Sequence, residues 1–179
     1  EVVAAGLDVL AELSHRESFK LHVRAYDWGS DHYKRHGVLM PADGLAQIRD
    51  VDAIYFGAVG APDIPDHVTL WGLRLAICQP FDQYANVRPT RILPGIDGPL
   101  KRCGPDDLNW VIVRENSEGE YAGVGGRVHQ GHPIEAATDV SIMTRAGVER
   151  IMRFAFNLAQ SRPRKLLTVI TKSNAQRHA

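Results

Sequence analysis

The sequence predicts an α/β fold with a mostly parallel sheet flanked by helices. Short apolar runs bounded by Gly, Pro or polar residues read as buried strands: D-A-I-Y-F-G-A-V at 52–59, N-W-V-I-V at 109–113 and L-L-T-V-I at 166–170. Between them lie stretches with helical spacing of apolar residues. Strands alternating with helices point to parallel β-α-β connections.

Taken in order, Val2 to Leu13 places Val2, Val3, Leu7, Val9, Leu10 and Leu13 close to helical spacing. Phe19 to Tyr26 alternates apolar with polar side chains and reads as a strand near an edge, one face wetter than the other. Residues His32 to Gly37 read as a polar connection, and Pro41 as the start of a short helix through Ile48. The G-A-V-G-A-P exit of the 52–59 run is either a tight strand exit or a loop that a cofactor approaches; it lacks the spacing of the dinucleotide fingerprint. Thr69 caps or enters a helix that runs to about Gln79, ahead of Pro80. Pro89 to Pro105 reads as a domain crossing, and the glycines of 124–140 suit a protruding hairpin. Met143 to Leu158 is a further amphipathic helix.

With 179 residues the chain can bury a sizeable core as one domain or two small ones. Its 21 basic and 21 acidic residues balance, which argues against nucleic acid or an anionic membrane as partner. No apolar run is long enough to span a bilayer. Two cysteines, Cys78 and Cys103, make neither a disulfide framework nor a zinc motif, which places the protein in a reducing cytoplasm. The absence of an initiator Met and the abrupt ends make the chain read as part of something longer.

Chemistry-bearing residues stand at the ends of the apolar runs. Arg88 precedes Pro89, so its backbone is kept out of the α region and its guanidinium is presented from an extended chain. It is either a surface ion pair or a carboxylate clamp. Arg114 and Tyr121 follow the 109–113 run. Tyr121 is either a loop aromatic packed on its own hairpin or a proton donor to a carbanion or enol. Lys172, at the end of the 166–170 run, is either a solvated exit residue or a base whose amine burial or cationic neighbours neutralise. The eight histidines show no ligand spacing, so no metal is assigned to them. Cys78 reads as a small core residue rather than a nucleophile.

Six segments together carry a resemblance: E-V-V at 1–3, D-A-I-Y-F-G-A-V-G-A-P at 52–62, Y-A-N-V-R-P at 84–89, V-R-E-N at 113–116, G-E-Y-A-G at 119–123 and T-K-S-N-A-Q at 171–176. The chain resembles the NAD-dependent β-decarboxylating dehydrogenases, the isocitrate/isopropylmalate dehydrogenase family. P-D-H-V-T-L-W-G at 65–72, F-D-Q-Y at 81–84 and T-K-S-N-A-Q resemble its tartrate and D-malate dehydrogenase branch most. The resemblance covers essentially the whole chain but only part of a family member. It implies an incomplete isopropylmalate dehydrogenase-like fold that lacks the opening strand and the C-terminal half, and a fragment inactive or nearly so by itself.

The resemblance implies an oxidoreductase that uses NAD and Mg²⁺ or Mn²⁺ to oxidise a small 2-hydroxy dicarboxylate, tartrate or D-malate, with β-decarboxylation. The metal would act as Lewis acid, its ligands lying in the absent half. Arg88 and Arg114 would grip substrate carboxylates, Tyr121 would protonate the enol carbon, and Lys172 would be the base on the substrate hydroxyl, in the active site of the neighbouring subunit. Thr69 and Asn174 match positions near the nicotinamide. Residues 1–93 correspond to part of the cofactor domain. Residues 94–179 correspond to a smaller domain that forms the homodimer, with an arm at about 124–140. One departure stands out: the family arginine ten residues before Arg88 is here Cys78. Arg74, one turn earlier, is the candidate to restore that charge, and a cation there would favour a hydroxyl, hydrogen or carboxylate on C3 over an isopropyl group. The alternatives are an isopropylmalate dehydrogenase-like enzyme and a non-catalytic homologue that binds a carboxylate or only dimerises.

Overall fold

The computed structural model describes residues 2–178. They divide into two compact units, residues 2–77 and 78–178.

In the first unit, α1 (Val2–Arg16) realises the expected amphipathic helix. Small residues let it lie close to the 55–57 segment: a Cβ at Gly6 would overlap the Tyr55 ring, and one at Gly57 would overlap Val3. The histidine-rich stretch expected as a connection is instead a helix, α2 (Ser30–His36). Its last turn carries Lys34, Arg35 and His36, cations that suit the negative end of a helix, and Gly37 ends it at φ 74°. α3 (Gly44–Gln47) begins three residues after Pro41, so the helix expected from Pro41 is shorter than its pattern.

The helix that opens after Pro65 changes type along its length. α4 (Asp66–Thr69) leads into a π-helical segment, Leu70–Leu75, and then α5 (Ala76–Cys78). The i→i+5 bonding of a π turn widens the helix and often marks a functional position. Here it contains Arg74, and Leu73 and Leu75, two residues apart, are both fully buried. They join Leu39, Ile48, Ile64 and Ile77 in the core of this unit. A Cβ at Gly72 would overlap the end of Leu39, so this glycine lets the π segment close on its neighbour.

Two expected strands are absent from this unit. Residues 19–26 and 52–59 carry no ladder among the described residues. Phe19, Val23 and Tyr55 are about half exposed or close to it, so the expectation of a buried 52–59 strand is overturned. Periodicity selects residues that would suit a sheet, but a strand exists only through the neighbour whose N–H and C=O groups it meets. The polar positions of the first run find side-chain partners instead: Arg24 binds Asp50 at 2.8 Å and Tyr26 donates to the Gln47 carbonyl at 3.0 Å.

The second unit contains two antiparallel ladders. β1 (Ala85–Arg91) pairs with β2 (Asn109–Glu115) in the register Ala85↔Glu115 and Arg88↔Ile112. Trp110 and Ile112 are about half exposed, so β2 is not the buried strand its composition suggests. β3 (Gly119–Val128) pairs with β4 (Ala136–Ile142), with an irregularity between Gly119 and Val124. This is the hairpin expected at 124–140, and its residues beyond Ala122 are exposed. α6 (Arg145–Ser161) packs on β2 and buries its small residues Gly147, Ala155 and Ala159. The run 166–170 forms no strand, and Ile170 is 92 % exposed. Both described ladders are antiparallel, so the coarse α/β reading holds for elements of both kinds without a parallel pair among them.

Candidate functional site

The candidate residues fall into two groups that follow the units. Arg88, Arg114, Tyr121, Lys172 and Asn174 belong to the second unit, and Thr69 and Arg74 to the first.

Arg88 stands on β1 ahead of Pro89, and its side chain is exposed. Its Nε donates to Asn86 Oδ1 at 2.8 Å. Asn86 Nδ2 donates in turn to Asn116 Oδ1 at 3.3 Å. Asn116 is only 4 % exposed and ties the β2 exit to the β1 entrance: its backbone N–H reaches the Tyr84 carbonyl at 2.8 Å, and its Nδ2 the Gln83 carbonyl at 3.0 Å. A buried amide satisfied this way fixes both segments, because losing either bond would strand a buried polar group.

Arg114, at the end of β2 and opposite Asn86 in the ladder, lies over the Tyr121 ring with its guanidinium carbon 5.0 Å from the centroid. Its Nε and Nη2 are buried and have no hydrogen-bond partner among the described residues. These two nitrogens form one side of the guanidinium fork, the geometry that matches both oxygens of a carboxylate. The Tyr121 backbone is held on both sides. Its N–H reaches the Glu118 carbonyl at 3.3 Å, and its carbonyl accepts from Gln79 Nε2 at 2.7 Å.

Glu115 follows Arg114. Burial opposes its ionisation, but the Ser117 hydroxyl and the backbone N–H groups of Glu118, Ser117 and Asn116 outweigh that, so its carboxyl sits below the ordinary value of 4.5. The Ser117 hydroxyl is 2.7 Å away and the Ser117 and Glu118 amides are 2.8 and 2.5 Å away. The charged form is favoured because a hydroxyl and backbone N–H groups converge on it.

Lys172 and Asn174 are placed differently from expectation. Both are exposed, in a segment of turns rather than at the end of a buried strand, and neither side chain has a hydrogen bond or ion pair among the described residues. Only the Lys172 carbonyl is engaged, by the N–H groups of Ala175 and Gln176. In the first unit Thr69 is a buried residue inside the helix rather than its cap. Its hydroxyl donates to the Asp66 carbonyl at 3.0 Å. Arg74 is half-buried in the π segment.

Thus the structure gathers Arg88, Arg114 and Tyr121 in one neighbourhood and leaves Lys172 and Asn174 outside its hydrogen-bond network. Sequence reasoning missed Asn86, Glu115, Asn116 and Arg150. Three of these lie inside the motifs Y-A-N-V-R-P and V-R-E-N, so the signal was present, but nothing in spacing alone separates a ligand from the residue that holds it. No group of three or more His, Cys, Asp or Glu side chains suited to a metal ion occurs among the described residues. No helix among them is long and apolar enough to cross a membrane.

The chain belongs to the isocitrate/isopropylmalate dehydrogenase family, whose model matches residues 1–179. Within that family it is 71 % identical over 179 residues to a "Probable tartrate dehydrogenase/decarboxylase" of Agrobacterium vitis, which covers 99 % of this chain and 50 % of that protein. It is 49 % identical over 176 residues to the "D-malate dehydrogenase [decarboxylating]" of Escherichia coli, covering 97 % of this chain and 49 % of that one. The chain therefore spans about half the length of the curated relatives it matches. Among solved structures it is similar to isocitrate dehydrogenase from Methylococcus capsulatus, with a TM-score of 0.68 and 28 % identity over 86 % of this chain and 43 % of that one. A β-decarboxylating dehydrogenase from Thermococcus kodakarensis matches with a TM-score of 0.58 and 32 % identity, over 89 % and 42 % of the two chains.

Proposed function

We propose that this chain is part of an oxidoreductase that oxidises a small 2-hydroxy dicarboxylate, tartrate or D-malate, and releases CO₂ from the β-position. The observation that carries the reading is Arg114. A buried guanidinium edge without a partner is costly unless an anion completes it, and a carboxylate fits that edge with two parallel hydrogen bonds. The names of the relatives from Agrobacterium vitis and Escherichia coli support the substrate class.

In this reading Arg114 and Arg88 hold the substrate's two carboxylates. Tyr121, oriented through its backbone and overlain by the Arg114 cation, delivers a proton to the carbon that CO₂ leaves. Lys172 takes the proton of the C2 hydroxyl, in the active site of a second subunit, so the protein works as a homodimer whose contact includes the 124–140 hairpin and α6. Residues 1–93 serve the cofactor and 94–179 the dimer. The free thiols of Cys78 and Cys103 suit a reducing cytoplasm.

NAD and Mg²⁺ or Mn²⁺ are the expected cofactors; when bound, one accepts hydride and the other polarises an oxygen. Among the described residues no group of three or more His, Cys, Asp or Glu side chains is suited to a metal ion, and the metal ligands are proposed to lie in the remainder of the full-length protein. Asn174 and Thr69 are proposed to face the nicotinamide only in the full-length dimer. The parallel sheet of the complete fold belongs to the same proposal, as does the inactivity of this chain alone. Arg74 supplies the cation that Cys78 does not and disfavours an isopropyl substituent on C3.

The test is NADH formation by the full-length protein with Mn²⁺ on D-malate, tartrate and 3-isopropylmalate. Turnover of D-malate or tartrate ahead of isopropylmalate is the expected result. Preference for isopropylmalate would replace the substrate assignment. A folded full-length protein that turns over none of the three would favour a binding homologue.

A further inference from the structure

We infer that Arg150 is a positioning residue for the carboxylate-binding arginines, an inference that rests on the dehydrogenase reading of the site. Arg150 is on α6, and its hydrogen bonds go to neither Arg88 nor Arg114. Its guanidinium instead joins the two segments from which they project. Nη1 binds Asp82 Oδ1 at 2.7 Å, and the guanidinium carbon lies 4.6 Å from the Tyr84 ring centroid, so one side grips the entrance to β1. Nη2 donates to Ser117 Oγ at 2.8 Å and lies 3.6 Å from Glu115 Oε1, so the other side grips the exit of β2.

The two gripped segments are paired at their meeting point, Ala85↔Glu115. Arg88 is four residues beyond Tyr84 along β1, and Arg114 immediately precedes Glu115. A rotation of either segment would therefore change the angle between the two guanidinium groups. Arg150 is suited to prevent it. Its side chain is 30 % exposed, its Nε is buried without a partner among the described residues, and its planar fork meets a carboxylate, a hydroxyl and an aromatic face together. Glu115 is already held by the Ser117 hydroxyl and by the Ser117 and Glu118 amides, so neutralising it is not what Arg150 adds. Arg150 adds the link from those groups to residues 82–84.

The experiment uses Arg150→Ala and Arg150→Lys in the full-length protein. Arg150→Ala is expected to raise the KM for D-malate or tartrate about tenfold, a loss of alignment worth about 1.4 kcal/mol, while the KM for NAD⁺ stays within about twofold. Lys keeps the charge but not the fork, so Arg150→Lys is expected to fall between Ala and the parent. Should the Ala variant fail to fold, the same split in the Lys variant carries the test. An unchanged KM for the hydroxy acid, or an equal rise in both KM values, overturns the inference. If the parent protein oxidises none of the acids, the dehydrogenase reading fails by itself, and hydrogen exchange then decides the role of Arg150. Faster exchange in peptides 82–88 and 113–121 of the variant, with 124–140 unchanged, upholds the positioning role; unchanged exchange in the first two overturns it.

Discussion

Arg114 and Glu115 are neighbours with opposite electrostatic situations. Arg114 has a buried edge with no partner among the described residues, while Glu115 is surrounded by donors. Replacing Arg114 by Gln in the full-length protein should weaken dicarboxylate binding by about 10- to 150-fold, the equivalent of about 1.5–3 kcal/mol for a charge-assisted hydrogen-bonded pair. Lys should restore little, since it lacks the fork. Isothermal titration with tartrate measures both. Glu115 makes a pH prediction. Its folded carboxyl titrates below 4.5, so its contribution to stability is complete above that value and is lost as the pH falls through the lower, folded value. The gap in thermal midpoint between the parent and Glu115→Gln should be constant from pH 7 to about 5 and shrink below about 4.5. A gap that widens on acidification would contradict this assignment.

At the scale of elements, the start of α6 depends on a small network. Thr144 Oγ accepts from the Gly147 N–H at 2.9 Å as a helix N-cap. Thr144 itself donates to Glu118 through its backbone N–H at 2.8 Å and its hydroxyl at 2.5 Å. Thr144→Ala should therefore cost about 1 kcal/mol of stability, read from denaturant unfolding. A Cβ at Gly147 would overlap the Glu118 carboxylate, so Gly147→Ala should disturb the same cap from the other side. In the β3–β4 hairpin a Cβ at Gly125 would run into the Thr138 backbone carbonyl, which cannot swing aside as a side chain can. Gly125→Ala should loosen the ladder around Gly125↔Asp139, and amide exchange at Val124 to Gly126 should rise while α6 stays protected.

For the whole molecule, the exposed apolar residues matter most. Phe19, Val23, Tyr55, Phe56, Leu166, Val169 and Ile170 are each at least 40 % exposed, and they come from the three runs that form no ladder. Exposed apolar side chains on segments without a ladder partner favour association. The 179-residue chain produced by itself should bind a hydrophobic dye and self-associate, as read by light scattering. Monodisperse, dye-silent behaviour would show that these residues find cover within the chain.

The sequence by itself determined the local features. α1, α6 and the glycine-rich hairpin were legible because helical period and turn glycines act over a few residues. The extended backbone at Arg88 was legible too, because Pro89 restricts its neighbour whatever surrounds it. The motifs identified the family through residue identities that no period encodes. Only the tertiary structure decided which apolar runs become strands, since 19–26, 52–59 and 166–170 have the composition but no ladder partner. It alone decided that β1 and β2 run antiparallel, that the helix after Pro65 widens into a π turn, and that Arg114 meets Tyr121. The same holds for Arg150: nothing in its helical spacing announces Asp82 or Ser117, because those contacts join residues 68 and 33 positions apart. A local pattern fixes what a segment favours, whereas pairing and burial depend on which surfaces the rest of the chain brings to it.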